Sequence, residues 1–238
     1  MPTRLEKSIA RERHILDSAW QLVANEGFLA LKISELAKIA GVSIGTLYVH
    51  FESKEDLIIA MAMDAWKDME QVLIQALEGE ASPVQRLMAF SIMGHRYNID
   101  HPVRFEANQL AGVPSIWQRA SLRRHQQVPE GCEAFEGRLK PVIRDAIESG
   151  ELEKEENLDH QIDAFSHGLW AVGIGNAYIN YVITPEALRE PHKERLERDV
   201  RRHIIALFKG YGWAVNNPHA VYDEVSAHCA RLALRNSD

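Results

Sequence analysis

The residues whose types and spacing could do chemistry are concentrated between Ser43 and Lys54. In Ser43-Ile-Gly-Thr-Leu-Tyr-Val-His-Phe51, Leu47 and Phe51 stand at i and i+4, so a helix here buries one stripe. Gly45, Thr46, Tyr48, Val49 and His50 are then left to face outward. A hydroxyl, a phenol, a methyl pair and an imidazole are groups that read base edges in a DNA major groove, and Gly45 permits close backbone approach. Ser43 is placed to cap the helix. Lys54 falls at the start of the next one, where free amides and the helix dipole favour a phosphate.

Other chemistries find less support. Asp159, Asp163 and His167 share a helix face, and His95 and His101 are close in sequence. No His-x3-His or Cys-x2-Cys spacing accompanies them, so no metal site is expected. No nucleophile–base motif or Gly-rich phosphate loop is present, so neither catalysis nor a cofactor is expected. Cys132 and Cys229 cannot build a disulfide framework, which points to a reducing, cytoplasmic setting. The N-terminus carries charges where a signal peptide needs its apolar run. The least charged stretch, Ala164 to Ile183, is broken by His167, three glycines and two asparagines, and is expected to be a buried helix rather than a membrane span.

These residues need a scaffold, and 238 residues with 46% hydrophobic and 26% charged content suffice for a soluble, well-cored protein. The period is helical almost throughout, with prolines between segments and no clean alternation. Helices are predicted from Ser8 to Asn25 with Gly27 as a stop, from Ile33 to Ala40, from Ser43 to near His50, and from Ser53 to about Leu77. Ser53 and Asp56 have capping-box spacing. Further helices are expected over 83–99, 102–111, 115–127, 130–149, 157–182, 194–210 and 218–235. The net charge of −7 argues against coating nucleic acid at large. It is concentrated after residue 56, so a small DNA-reading head remains compatible with it, because screening confines charge effects to about 8–10 Å.

Ile33 to Phe51 forms a helix-turn-helix pattern about Gly41-Val42-Ser43. Gly41-Val-Ser-Ile-Gly-Thr-Leu-Tyr-Val-His-Phe-Glu-Ser-Lys-Glu-Asp-Leu57, with Ala19-Trp-Gln-Leu-Val-Ala-Asn-Glu-Gly-Phe28 before it, resembles the TetR family of transcriptional regulators. The resemblance is specific over residues 10–60. It implies an all-α fold with an N-terminal three-helix helix-turn-helix head in residues 1–56. Residues 57–238 would be a larger helical ligand-binding and dimerisation domain with an additional C-terminal helix. It further implies a homodimeric, ligand-responsive repressor on a palindromic operator. Match of position puts DNA contacts on Thr46, Tyr48, His50 and Lys54, with Lys32 and Ser34 at the start of the preceding helix; Ser43 and Gly45 complete the expected set. The family usually carries Thr-Thr or Thr-Ser at Leu31-Lys32 and often Arg at Ser34, so Lys32 would anchor phosphate here by charge alone.

In the remainder, Ala164, Gly168, Ala171 and Gly175 make a small-residue stripe on one helical face. With Ile204 and Phe208 they are the expected dimer interface, packing within one chain being the other reading. A cavity for an apolar or aromatic effector would draw on His95, Asn98, Phe105, Asn108, Gln109, Trp117, His167 and Trp170, with Asn176 also eligible. Two other classes stay open: an all-helical enzyme or small-molecule carrier without DNA binding, and a helical scaffold that uses residues 213–238.

Overall fold

A capping box opens the chain's first helix: Thr3 Oγ1 accepts from the Glu6 amide at 3.2 Å and Glu6 Oε2 accepts from the Thr3 amide at 2.6 Å. The cap starts α1 (Arg4–Ala30) four residues before the expected Ser8. Gly27, at φ 78°, breaks its last turn. In this computed structural model, which describes residues 3–79, 81–184, 186–214 and 216–235, the other elements are all helical. They are α2 (Ile33–Ile39), α3 (Ile44–His50), α4 (Lys54–Leu77), α5 (Pro83–Asp100), α6 (Pro102–Ala111), α7 (Pro114–Trp117), α8 (Leu122–Glu148) and α9 (Leu158–Tyr178). A π-helical turn (Ile179–Ile183), α10 (Glu186–Gly210) and α11 (Pro218–Arg235) complete the chain. Among the described residues, extended pairing is limited to one isolated bridge, Leu152 with Trp213.

The helices expected at 115–127 and 130–149 are instead a single turn, α7, and one long helix, α8. The predicted boundary fell at Pro129, but α8 runs through it, as it does through Pro141, and forgoes a backbone donor at each. Phe135, Leu139, Val142, Ile143 and Ala146 are all buried, and that apolar stripe holds the helix together.

The chain forms two compact units. One comprises residues 1–68 and 101–132, the other residues 69–100 and 133–238. The expected boundary at residue 56 is therefore not where the packing divides. In the first unit Ile15, Ala19, Leu22, Leu36, Ala37, Leu47, Phe51 and Leu57 share one core, against which Val103, Leu110, Ala111 and Ile116 pack. Segment α6–α7 thus belongs with the helix-turn-helix.

In the second unit α5 packs on α9 and α11, and α9 packs on α10. Phe165 meets Phe208 edge-on at 5.3 Å and Tyr211 at 5.0 Å. Three of the expected interface residues are consequently internal. Ile204 and Phe208 are buried within their own chain. At Gly168 an added Cβ would lie 2.7 Å from Leu207 Cδ1, so this glycine serves the close crossing of α9 and α10. Ala171 is exposed, Ala164 is partly so, and Gly175 has open space beside it.

Candidate nucleic-acid interface

The turn between α2 and α3 is fixed by backbone geometry. Gly41, at φ 63°, donates to the Lys38 carbonyl at 3.2 Å and Val42 donates to the Ala37 carbonyl at 3.0 Å. This is a Schellman ending, in which the left-handed position favours glycine. Ser43 then caps α3: its Oγ accepts from the Thr46 amide at 3.0 Å and lies 2.8 Å from Thr46 Oγ1. Leu47 and Phe51 are buried beneath. Lys32 is the N-cap residue of α2 but makes no side-chain cap bond, and both it and Ser34 are exposed.

Outward from this frame stand Gly45, Tyr48 at 48% exposure and Val49 at 81%. Exposed apolar and aromatic groups on a short capped helix are what a major groove accepts. Thr46 is half-buried and its hydroxyl is engaged with Ser43. His50 departs from expectation. Its side chain is only 6% exposed, with Nδ1 3.7 Å from Glu12 Oε2, so it turns into the unit rather than toward a groove. Glu12, held by Arg123 and Arg124, gives the imidazole an acidic neighbour on that side. Lys54 is half-buried and gives one donor to the Phe28 carbonyl at 3.3 Å.

Two networks behind α3 are invisible in the linear pattern. Glu12 on α1 meets Arg123 Nη2 at 2.7 Å and Arg124 Nη2 at 3.3 Å. Burial raises the Glu12 pKa, but the hydrogen bonds and charges of Arg123 and Arg124 outweigh it and hold the carboxyl below its ordinary value. Asp56, 1% exposed, accepts from the Ser121 amide at 2.9 Å and from Ser121 Oγ at 2.6 Å. Ser53 caps the Asp56 amide at 2.9 Å as its spacing implied. The Asp56 carboxylate does not return to Ser53; it takes the Glu52 amide at 3.3 Å. The partners stand too far apart in sequence for any spacing rule to reveal them.

The second unit contains a cleft of about 880 Å³ bounded by α5, the end of α9 with its π-helical turn, α10 and α11. Of the eight effector candidates only His95 lines it, together with Asn176. Phe105, Asn108, Gln109 and Trp117 lie in the helix-turn-helix unit, because α6 and α7 pack there. Phe105 is buried and Trp117 Nε1 bonds the Ala111 carbonyl at 2.6 Å. Asn98 is buried elsewhere in α5, His167 is exposed, and Trp170 packs edge-on to Phe135 at 6.4 Å. Burial first, and the charge of Arg96 second, lower the His95 pKa to about 4, so its imidazole is neutral near pH 7. Asp163 pairs with Lys140 at 2.9 Å and Asp159 with Arg144 at 3.1 Å. Among the described residues no His, Cys, Asp and Glu cluster could hold a metal ion, and no helix is long and apolar enough to cross a membrane.

Comparison with known proteins agrees with this geometry. Residues 15–61, which span the end of α1 through the start of α4, match the family described as bacterial regulatory proteins, tetR family. The chain is 25% identical over 150 residues to the fatty acid metabolism regulator protein of Bacillus subtilis, covering 61% of this chain and 71% of that one. It is 32% identical over 79 residues to the HTH-type transcriptional regulator BetI of Rhizobium meliloti, covering 33% of this chain and 39% of that one. The crystal structure of the transcriptional regulator FadR from Bacillus subtilis, in complex with stearoyl-CoA, shares the fold. It superposes with a TM-score of 0.57 at 18% identity over 83% of this chain and 98% of that one. With the Gly41 turn, the Ser43 cap and the all-helical body accounted for, the chain belongs to the tetR family of transcriptional regulators.

Proposed function

We propose that this regulator is a repressor that binds a palindromic operator as a homodimer and leaves it when a small apolar or aromatic effector binds the second unit. The observation that carries this reading is the capped α3, which turns Tyr48 and Val49 to solvent above a fully buried Leu47 and Phe51. Tyr48, Val49, Thr46 and Gly45 then face bases. Lys32, Ser34, Ser43 and the remaining donors of Lys54 face phosphates, and His50 acts behind the helix by holding its end. DNA contacts fall within residues 1–56, and effector and dimer contacts within 57–238. A role on chromosomal DNA makes the cytoplasm its place of work.

An exposed apolar face on α9, made by Ala171, Ile174 and Tyr178, supports dimerisation. It replaces the stripe expected through Ile204 and Phe208. Regulation is supported by continuity of the chain: α4 and α8 each begin in one unit and end in the other. A tenfold change in operator affinity needs about 1.4 kcal/mol of differential binding, within the ordinary coupling range. The FadR structure, whose ligand is an acyl thioester, supports an effector with an apolar body.

Fluorescence anisotropy with DNA from upstream of the protein's own gene tests the reading. Tyr48→Ala should weaken specific binding by about 1–3 kcal/mol with helicity unchanged. Unaltered affinity would remove α3 as the reading helix. Ile174→Asp should yield monomers in sedimentation and lose the operator with them. A variant that stays dimeric would move the interface elsewhere.

A further inference from the structure

Three residues that line the cleft in the second unit each carry a buried polar atom that the protein leaves unbonded. Asn176 is 6% exposed, and its Oδ1 lies 2.6 Å from His203 Nδ1, while its Nδ2 is buried without a partner. His95 Nδ1 and Arg201 Nε are likewise buried and unbonded. All three residues line the same cleft. Folded interiors rarely leave such atoms unmatched, and three around one space point to a missing ligand group. Asn176 Nδ2 and Arg201 Nε are donors only, so the missing group is an acceptor.

The surrounding charge is balanced, which favours an uncharged ligand. Among the described residues, four acidic ones line the cleft against four basic ones. The two guanidinium groups nearest α11 are already engaged: Arg96 holds Ser226 Oγ at 2.8 Å, and Arg201 holds Asp223 Oδ2 at 2.8 Å and the His219 carbonyl at 3.0 Å. His95 is neutral near pH 7. Ile92, Ile99, Ile179, Leu196 and Val200 supply apolar wall. Tyr222 and Ser226 come from α11, so the C-terminal helix forms one side of the space.

We propose that this cleft is the effector site and that it takes an uncharged molecule with a carbonyl or ether oxygen on an apolar body, the oxygen accepting from Asn176 Nδ2. The effector role rests on the repressor reading above, whereas binding in the cleft does not. Of the site expected across α5, α6, α7 and α9 it keeps His95 and Asn176, and it gives α11 a purpose.

Benzophenone and diphenylmethane carry the same two rings and differ by one carbonyl, so they isolate the acceptor. Calorimetric titration of the full-length dimer should show benzophenone binding about tenfold more tightly than diphenylmethane. Asn176→Leu should erase that preference and leave diphenylmethane unchanged. Asn176→Asp, which keeps an oxygen toward His203 but removes the donor, should erase it as well. Tyr222→Ala should weaken both ligands. Absence of binding, equal affinity for the two probes, or a preference that persists in both Asn176 variants would overturn the site. Benzophenone bound with the expected preference but without effect on operator affinity would overturn the effector role while leaving the site. Failure of the unliganded protein to bind operator would instead overturn the repressor reading.

Discussion

Replacement of Asp56 by alanine tests the network that joins the starts of α4 and α8. The carboxylate is almost wholly buried and accepts from the amide and hydroxyl of Ser121, itself buried, and from the Glu52 amide at 3.3 Å. Hydrogen bonds to a charged acceptor contribute about 1.5–3 kcal/mol each, and a buried donor left alone costs about as much. The Ser121 hydroxyl can rotate toward another acceptor, whereas its amide cannot, and the Glu52 bond is long and adds little. Arg124, whose Nε lies 3.8 Å from Asp56, keeps only Glu12 as an ionic partner. The expected destabilisation is therefore about 3–5 kcal/mol, the range found when one partner leaves a buried charge pair. That is a large part of a typical folding free energy. Urea unfolding followed by far-ultraviolet circular dichroism measures it. Asp56→Asn, which retains one oxygen for Ser121, should cost about 1–2 kcal/mol. A loss below about 1 kcal/mol for Asp56→Ala, with helicity unchanged, would refute the assignment of Asp56 as the organiser of this junction.

His95 makes stability depend on pH. Its folded pKa of about 4 lies below the ordinary 6.5, so the unfolded chain binds the proton first. The His95 contribution should fall as pH drops from about 6.5 to about 4, by about 3 kcal/mol in all, and level off below; in His95→Gln that part of the slope should disappear from unfolding curves taken across the range. Gly168→Leu drives a branched side chain into Leu207 and should destabilise the fold by about 1–3 kcal/mol in urea. Leu207→Ala in the same chain should restore part of the loss, and a Gly168→Leu protein of unchanged stability would show that α9 and α10 have room between them.

The local devices were legible in the residues themselves. Gly41 followed by Ser43 states where α2 ends and α3 begins, because a left-handed ending and an N-cap depend on neighbours within a few positions. Leu47 and Phe51 declare the buried face of α3 by their spacing alone. The Ser53 cap on α4 was equally readable, and with it the family and the DNA-reading role. Long-range packing was not. Pro129 looks like a helix boundary until the buried stripe of α8 sustains the helix through it. Periodicity shows that Ile204, Phe208 and Gly168 face something, but an apolar face carries no label for its own chain or another. Only tertiary structure assigns them to the inside. His50 looked like a base-reading group by its place on α3 until Glu12, far earlier in the chain, was found beside it. The placing of α6 and α7 with the helix-turn-helix was hidden for the same reason: which core a helix joins depends on the shape of distant surfaces. What the sequence by itself determined is the set of helices, turns and caps encoded over a few residues. Which of their faces met, and so where a cleft was left between them, depended on contacts between residues remote in the chain.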